Sequence, residues 1–169
     1  MSDQEEQRDR DAGDPRLHVV LVEPEIPPNT GNIGRLCLAA GARLHLVGAL
    51  GFSLDDKQLR RAGMDYWNRV DLRRWESLDQ LRGNASPGAR FWLFTTKSDR
   101  PYWGARLETG DYLVFGPETR GLPEDLLASE RESCVTVPMV DGERSLNLAT
   151  CAGIGVYEAL RQIALRTGR

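Results

Sequence analysis

The chain has 169 residues, 40% hydrophobic and 28% charged, with 17 Gly, 9 Pro and a formal net charge of −3, the size and mix of one ordinary folded domain. No apolar run reaches the ~20 residues of a membrane-spanning helix, and the N-terminus MSDQEEQRDRDAGD has no apolar segment to act as a secretory signal; a cytoplasmic location away from membranes is expected. The negative charge is local: six acidic side chains against Arg8 and Arg10 fall in residues 1–15, leaving residues 16–169 at +1. Only Lys57 and Lys97 of the 22 basic residues are lysines, so the cations are mostly guanidinium forks suited to phosphate or carboxylate.

In chain order, residues 1–15 read as a disordered acidic tail, and the folded domain occupies 16–169. LHVVLV predicts a strand at 17–22, followed by a helix opening near Gly31 and Asn32 and a second strand at 43–48, an α/β beginning. His18 and His45 fall within these apolar alternations and read as strand residues. A charged stretch at 55–62 has a helical pattern, a weaker strand fits 69–72, and SLDQLR at 77–82 resembles a short helix before a loop from Gly83 to Gly88. Strands then fit 90–95, 111–115 and 133–138, with a short helix after Pro123. The last helix is the best marked: Leu148, Ala152, Val156, Leu160 and Ile163 follow helical spacing, with Asn147 as N-cap. Its first half, with Ala149, Cys151, Ala152, Gly153 and Gly155, has little bulk and admits a close neighbour. The whole predicts a single α/β sheet of about six strands. Cys37, Cys134 and Cys151 are widely spaced and odd in number, with neither a disulfide framework nor zinc-ligand spacing; no metal site is expected.

Three segments exceed what propensity requires. EPEIPPNTGNIGR, residues 23–35, joins the first strand to its helix; Gly31 and Asn32 would free amides for an anion, with Arg35 adding a bidentate donor. A plain capped turn with a solvated arginine fits the same residues. FGPETRGLP, residues 115–123, follows a strand, where glycines let ligands approach the main chain in open α/β sheets; Glu118 and Arg120 fit a ligand cleft or a surface ion pair. VPMVDGERSLNL, residues 137–148, leads into the last helix, so Ser145 and Asn147 serve either as caps or as site residues. Together they suggest a composite site for a nucleotide-like ligand and a phosphate.

PEIPPNTGNIGR, FGPETRGLP and VPM with RSLNL and VYEALRQ resemble the three motifs of SPOUT-class RNA 2′-O-methyltransferases. In spacing they are most similar to the small tRNA (cytidine/uridine-34-2′-O)-methyltransferases, including the LRRAGMDYW and FTTK segments, across about 17–165. The resemblance implies a mostly parallel sheet with a C-terminal trefoil knot, a rarity that periodicity does not predict. It further implies S-adenosylmethionine as methyl donor, a homodimer, and the anticodon stem-loop of tRNA as partner. Carried over by motif, cofactor contacts would come from Phe94, Thr95, Gly116, Val137, Met139, Ser145 and Leu146. Arg35, Glu118, Ser145 and Asn147 would form the catalytic pocket. RNA contacts would come from Asn29, Asn32, Arg35, Lys57, Arg60, Arg61 and Arg144, with Arg73 and Arg74 extending the basic surface. Arginine is a poor base, with a pKa above ~12, so Arg35 suits phosphate positioning better than proton removal. NLATCAG lacks the serine that the class often has after NL. The absence of an added RNA-binding domain favours the minimal wobble-position type. The alternatives are methylation of another tRNA position or of rRNA, or a non-catalytic RNA-binding role.

Overall fold

The computed structural model describes residues 15–53 and 65–168. The acidic tail, apart from Pro15, and the predicted 55–62 helix with Lys57, Arg60 and Arg61 lie outside the described residues. Six strands form one sheet: β1 (His18–Val22), β2 (Arg43–Val47), β3 (Leu72–Trp75), β4 (Phe91–Phe94), β5 (Tyr112–Phe115) and β6 (Cys134–Val135). Their spatial order is β3-β2-β1-β5-β4-β6, and every described pairing is parallel. The central strands β1 and β5 carry apolar residues on both faces, as a sheet covered on both sides requires.

Those two faces bury different sets. Val19, Leu21, Leu113 and Phe115 pack with Ile33 and Cys37 of α1 (Pro27–Ala40) and with Ala152, Val156, Ala159 and Ile163 of α4 (Leu148–Thr167). Val20, Val114, Leu93 and Val47 pack with Leu81 of α2 (Leu78–Asn84) and Leu127 of α3 (Glu124–Ser129). The result is a three-layer α/β/α arrangement.

The structure shifts several expected boundaries. Helix α1 begins at Pro27, so Gly31 and Asn32 stand in its second turn, where their amides are used within the helix. Proline is well suited to the first helical turn because its missing N–H has no helical partner there, and Pro27–Pro28 start the helix four residues before the expected opening at Gly31. The last predicted strand contracts to Cys134–Val135, followed by a single bridge from Thr136 to Pro101; β6 is an edge strand and Pro138 cannot continue the ladder. The weak strand at 69–72 divides into a 3₁₀ turn at Trp67–Arg69 and β3.

His18 and His45 are buried strand residues, side by side on β1 and β2. Trp75 Nε1 donates to His45 Nδ1 at 2.9 Å, and the other nitrogen, Nε2, lies 2.9 Å from His18 Nδ1. A ring that accepts at Nδ1 is neutral. Burial, followed by the charges of His18 and Arg43, pushes His45 down to about 3. Asp111 is a second buried polar hub, accepting from Arg90, Trp92 Nε1 and the Glu108 amide.

Candidate active site

A cavity of about 510 Å³ opens beyond the carboxyl ends of β4, β5 and β6, where open parallel sheets place ligands. Its wall combines Phe94–Lys97 after β4, Phe115–Leu122 from β5 onward, Thr136, Val137 and Met139 after β6, and Arg144–Leu148 with Cys151 at the start of α4. All seven residues expected to contact a cofactor, Phe94, Thr95, Gly116, Val137, Met139, Ser145 and Leu146, line this one space. So do Glu118, Asn147, Asn29 and Arg144. Phe115, Leu122, Val137 and Leu148 offer apolar surface for a flat base, and Thr95, Thr136 and Ser145 offer polar atoms; size and lining fit a nucleoside-sized ligand. Among the described residues, no group of His, Cys, Asp or Glu side chains is placed to share a metal ion.

The loops around the cavity are joined by side chains far apart in sequence. Helix α1 lacks a cap of its own, because Ile26 stands at the N-cap. Glu118 supplies one from the β5–α3 loop: its carboxylate accepts from the Glu25 amide at 2.8 Å, the Ile26 amide at 3.1 Å and Asn29 Nδ2 at 3.1 Å. A carboxylate there also opposes the positive end of the helix dipole. Asn147 Oδ1 accepts from the amides of Ala149 and Thr150, which caps α4 as expected. Its Nδ2 donates to Asn29 Oδ1 at 2.9 Å. Asn29 thus has both ends of its amide occupied and is only 6% exposed. Asn29, expected as an RNA contact, is held in this internal link at the cavity wall.

The same two loops are closed a second time at the surface. Thr119 donates to Glu25 from its amide at 3.0 Å and its hydroxyl at 2.9 Å, and Arg120 pairs with Glu23 and Glu25. Gly116 is needed for the loop itself. A Cβ there would lie 2.4 Å from the main chain of Gly121 and Leu122, so the crowding comes from the loop's own backbone and not from a ligand.

Arg35 and Asn32 stand elsewhere, on the exposed face of α1 and off the cavity wall. With the helix starting at Pro27, Arg35 is more than two turns in and does not point back to the first turn. Its guanidinium lies over the Tyr66 ring, 5.7 Å from the centroid. Arg73 and Arg74 belong to β3, at the sheet edge opposite β6. Arg73 pairs with Asp71.

The sequence reading missed Glu23, Glu25 and Thr119 as loop clamps, and Lys97, Leu122, Thr136 and Cys151 as wall residues. Cys151 was visible only as part of a small-residue stretch. Burial pushes its thiol up to about 11, so it stands in the wall neutral at pH 7. No helix of the described residues is long and apolar enough to cross a membrane.

Comparisons with known proteins give the family. The pattern of the SpoU rRNA Methylase family matches residues 16–157. The tRNA (cytidine(34)-2′-O)-methyltransferase of Escherichia coli strain K12 is 46% identical over 148 residues, 87% of this chain and 94% of that protein. A solved structure concerned with 2-OH methylation of C/U34 on tRNA superposes with a TM-score of 0.82 at 46% identity, covering 93% of this chain and all of the other. The SpoU methyltransferase AviRb of Streptomyces viridochromogenes, solved with the cofactor AdoMet, superposes at 0.75 with 25% identity, covering 95% of this chain and 65% of that one. The conserved-length match to a relative spanned almost end to end, on a parallel sheet whose three motif loops enclose one cavity, shows that the chain belongs to the SpoU rRNA Methylase family.

Proposed function

We propose that the protein methylates the ribose 2′-hydroxyl of the wobble nucleotide of tRNA, cytidine or uridine 34, using S-adenosylmethionine. The observation that carries this is the 46% identity to a tRNA cytidine-34 enzyme over 94% of its length. When bound, S-adenosylmethionine supplies an electrophilic methyl group on sulfur. Phe94, Thr95, Gly116, Val137, Met139, Ser145 and Leu146 hold it in the cavity. Residues 16–169 form the catalytic domain, its C-terminal part threaded as a trefoil knot, and two copies work as a dimer in the cytoplasm. The family relationship supports both the knot and the dimer.

The chain's own groups bind and orient. Arg35 holds a phosphate next to the target ribose through its guanidinium fork; among the described residues no carboxylate pairs with it. Arg144 on the cavity rim adds a second cation, and Asn32 lies one turn before Arg35 on the same exposed face. Ser145 and Asn147 provide the polar wall beside the reacting hydroxyl. Glu118 serves by fixing α1 and Asn29, since its oxygens already receive three donors. Holding oxygen and methyl carbon in line supplies several kcal/mol of the barrier reduction, up to ~7–11 kcal/mol at best.

Incubation with labelled S-adenosylmethionine and unmodified tRNA transcripts, followed by mapping of the methylated ribose, tests this reading. Label on the 2′-oxygen of nucleotide 34 is expected. Label on rRNA alone would keep the chemistry and overturn the substrate, and full transfer by Arg35→Ala would overturn the role of Arg35. Affinity for tRNA is expected to fall steeply with salt because phosphate contacts release counterions; a flat profile contradicts it.

A further inference from the structure

The turn of α1 that carries Arg35 is gripped by one residue from a distant part of the chain. Tyr66 donates its hydroxyl to the Gly31 carbonyl at 2.7 Å. That carbonyl is one helical turn before Arg35, the acceptor that the Arg35 amide uses in an α-helix. The face of the same tyrosine ring lies under the Arg35 guanidinium, 5.7 Å from centroid to carbon, within the distance at which a cation is attracted to an aromatic face. The neighbouring Trp67, buried, packs over Gly34 and fixes the backbone from which Tyr66 projects. We propose that Tyr66 is a positioning residue for Arg35: its hydroxyl holds the helix turn and its ring holds the guanidinium at the angle needed to receive the RNA phosphate.

The physical reason is entropy and direction. Arginine on an exposed helix face samples many rotamers, and immobilising such a side chain on binding is costly. A ring beneath the guanidinium restricts it before RNA arrives, and a cation–π contact does so without engaging a strong acceptor at its N–H groups. A carboxylate partner would also restrict it but would occupy the donors that a phosphate needs. No such carboxylate pairs with Arg35 among the described residues, so the cation–π contact is the arrangement that orders this cation without spending its fork.

The proposal rests on the reading of Arg35 as the phosphate-binding group, and the experiment separates the two. Single-turnover transfer of labelled methyl to an unmodified tRNA transcript is measured for Tyr66→Phe, Tyr66→Leu, Arg35→Ala and the Tyr66→Leu/Arg35→Ala pair, with thermal melts of each. Tyr66→Leu is expected to slow transfer about tenfold, short of the ~100-fold that a 1 Å misplacement can cost, with KM for S-adenosylmethionine unchanged within about twofold. Tyr66→Phe, which keeps the ring, is expected to restore the rate to within about threefold, although it loses the hydroxyl bond as Leu does. In the Arg35→Ala background, adding Tyr66→Leu is expected to change the rate by less than about twofold. Equal loss in Phe and Leu variants, tracking their melting temperatures, would reduce Tyr66 to a helix anchor and overturn the proposal. A tenfold loss that persists in the Arg35→Ala background would also overturn it while leaving the function intact. Full activity of Arg35→Ala would instead remove the reading beneath it.

Discussion

Asn147 and Asn29, 118 residues apart, share a side-chain hydrogen bond of 2.9 Å that ties the start of α4 to the first turn of α1. Because Asn147 also caps α4 with its oxygen and Asn29 also donates to Glu118, one line of amides and a carboxylate joins all three motif loops. The polar wall of the cavity is therefore a single unit, and a change at one member is felt at the others.

Two substitutions of Asn147 remove its Asn29 link, one with and one without the cap on α4. Asn147→Asp keeps an oxygen to cap α4, and Asp caps about as well as Asn, whereas Asn147→Ala costs about 1 kcal/mol of stability. Asp, however, sets oxygen against Asn29 Oδ1; turning the Asn29 amide to relieve this sets its oxygen against Glu118. Expected outcomes are lowered melting in both variants, from the oxygen–oxygen clash at Asn29 in the Asp variant and from the lost cap in the Ala variant, and at least about a tenfold loss of methyl transfer in both. Activity that followed melting temperature alone would mean that the Asn29 link carries no functional weight.

Glu118→Gln tests the cap on α1. Glu118 Oε1 receives Ile26 and Asn29 while Oε2 receives Glu25. A glutamine oxygen can serve the first pair only by turning its NH₂ toward the Glu25 amide, donor against donor. The cost is about 1–3 kcal/mol for the unsatisfied group, with a further ~0.3–1 kcal/mol for losing the charge at the helix N-terminus. Denaturant unfolding should show a lower midpoint with unchanged slope, and S-adenosylmethionine should bind more weakly; an unaltered midpoint would refute the capping role.

These links explain what the sequence does and does not disclose. The buried runs of β1, β2 and β5 and the helical spacing of Leu148, Ala152 and Val156 are local signals, and the elements follow them. The start of α1 escaped because Pro27–Pro28 fits both a rigid loop and a first helical turn, and only Glu118, about 90 residues away, decides between them by capping the helix. The cavity wall was legible by family resemblance, because motif order survives where periodicity is silent. Arg35 was expected one turn into its helix and in the catalytic pocket; it stands instead on the exposed face of α1 beside Tyr66, whose approach no pattern in 23–35 encodes.

His45 makes a prediction about acid sensitivity. Its native imidazole is pushed down to about 3 by burial and neighbouring charge, against ~6.5 in the unfolded chain. A base whose folded value is depressed contributes its full stability above the unfolded value. That stability is lost as pH falls through the window from ~6.5 to about 3, since the unfolded state binds the proton first. The slope reaches about 1.4 kcal/mol per pH unit. Chemical denaturation at pH 7.5, 6.0 and 5.0 should show this fall before carboxylates titrate, and the His45 ring should remain neutral by NMR in folded protein at pH 5. A stability that is flat between pH 6.5 and 5.0 would contradict the buried neutral ring.

Gly155 sits where α4 meets Phe94, and a Cβ there would lie 2.7 Å from the ring's Cζ. The small-residue stretch at this point receives a core aromatic, while Cys151, one turn earlier, faces the cavity. Phe94 cannot retreat into the core, because Phe115 is packed against it with ring centroids 4.7 Å apart. Its remaining direction is toward the cavity it helps to line. Gly155→Ala gains about 1 kcal/mol of helix propensity and incurs about 1–3 kcal/mol of overpacking, so the net effect on stability is small to moderately unfavourable. The effect on the site should be larger: a displaced Phe94 ring narrows the space for S-adenosylmethionine. Titration should show donor affinity falling about five- to tenfold, with tRNA affinity unchanged and the melting temperature lowered only slightly. Native donor affinity in Gly155→Ala would mean that Phe94 yields in another direction and that this glycine serves packing alone.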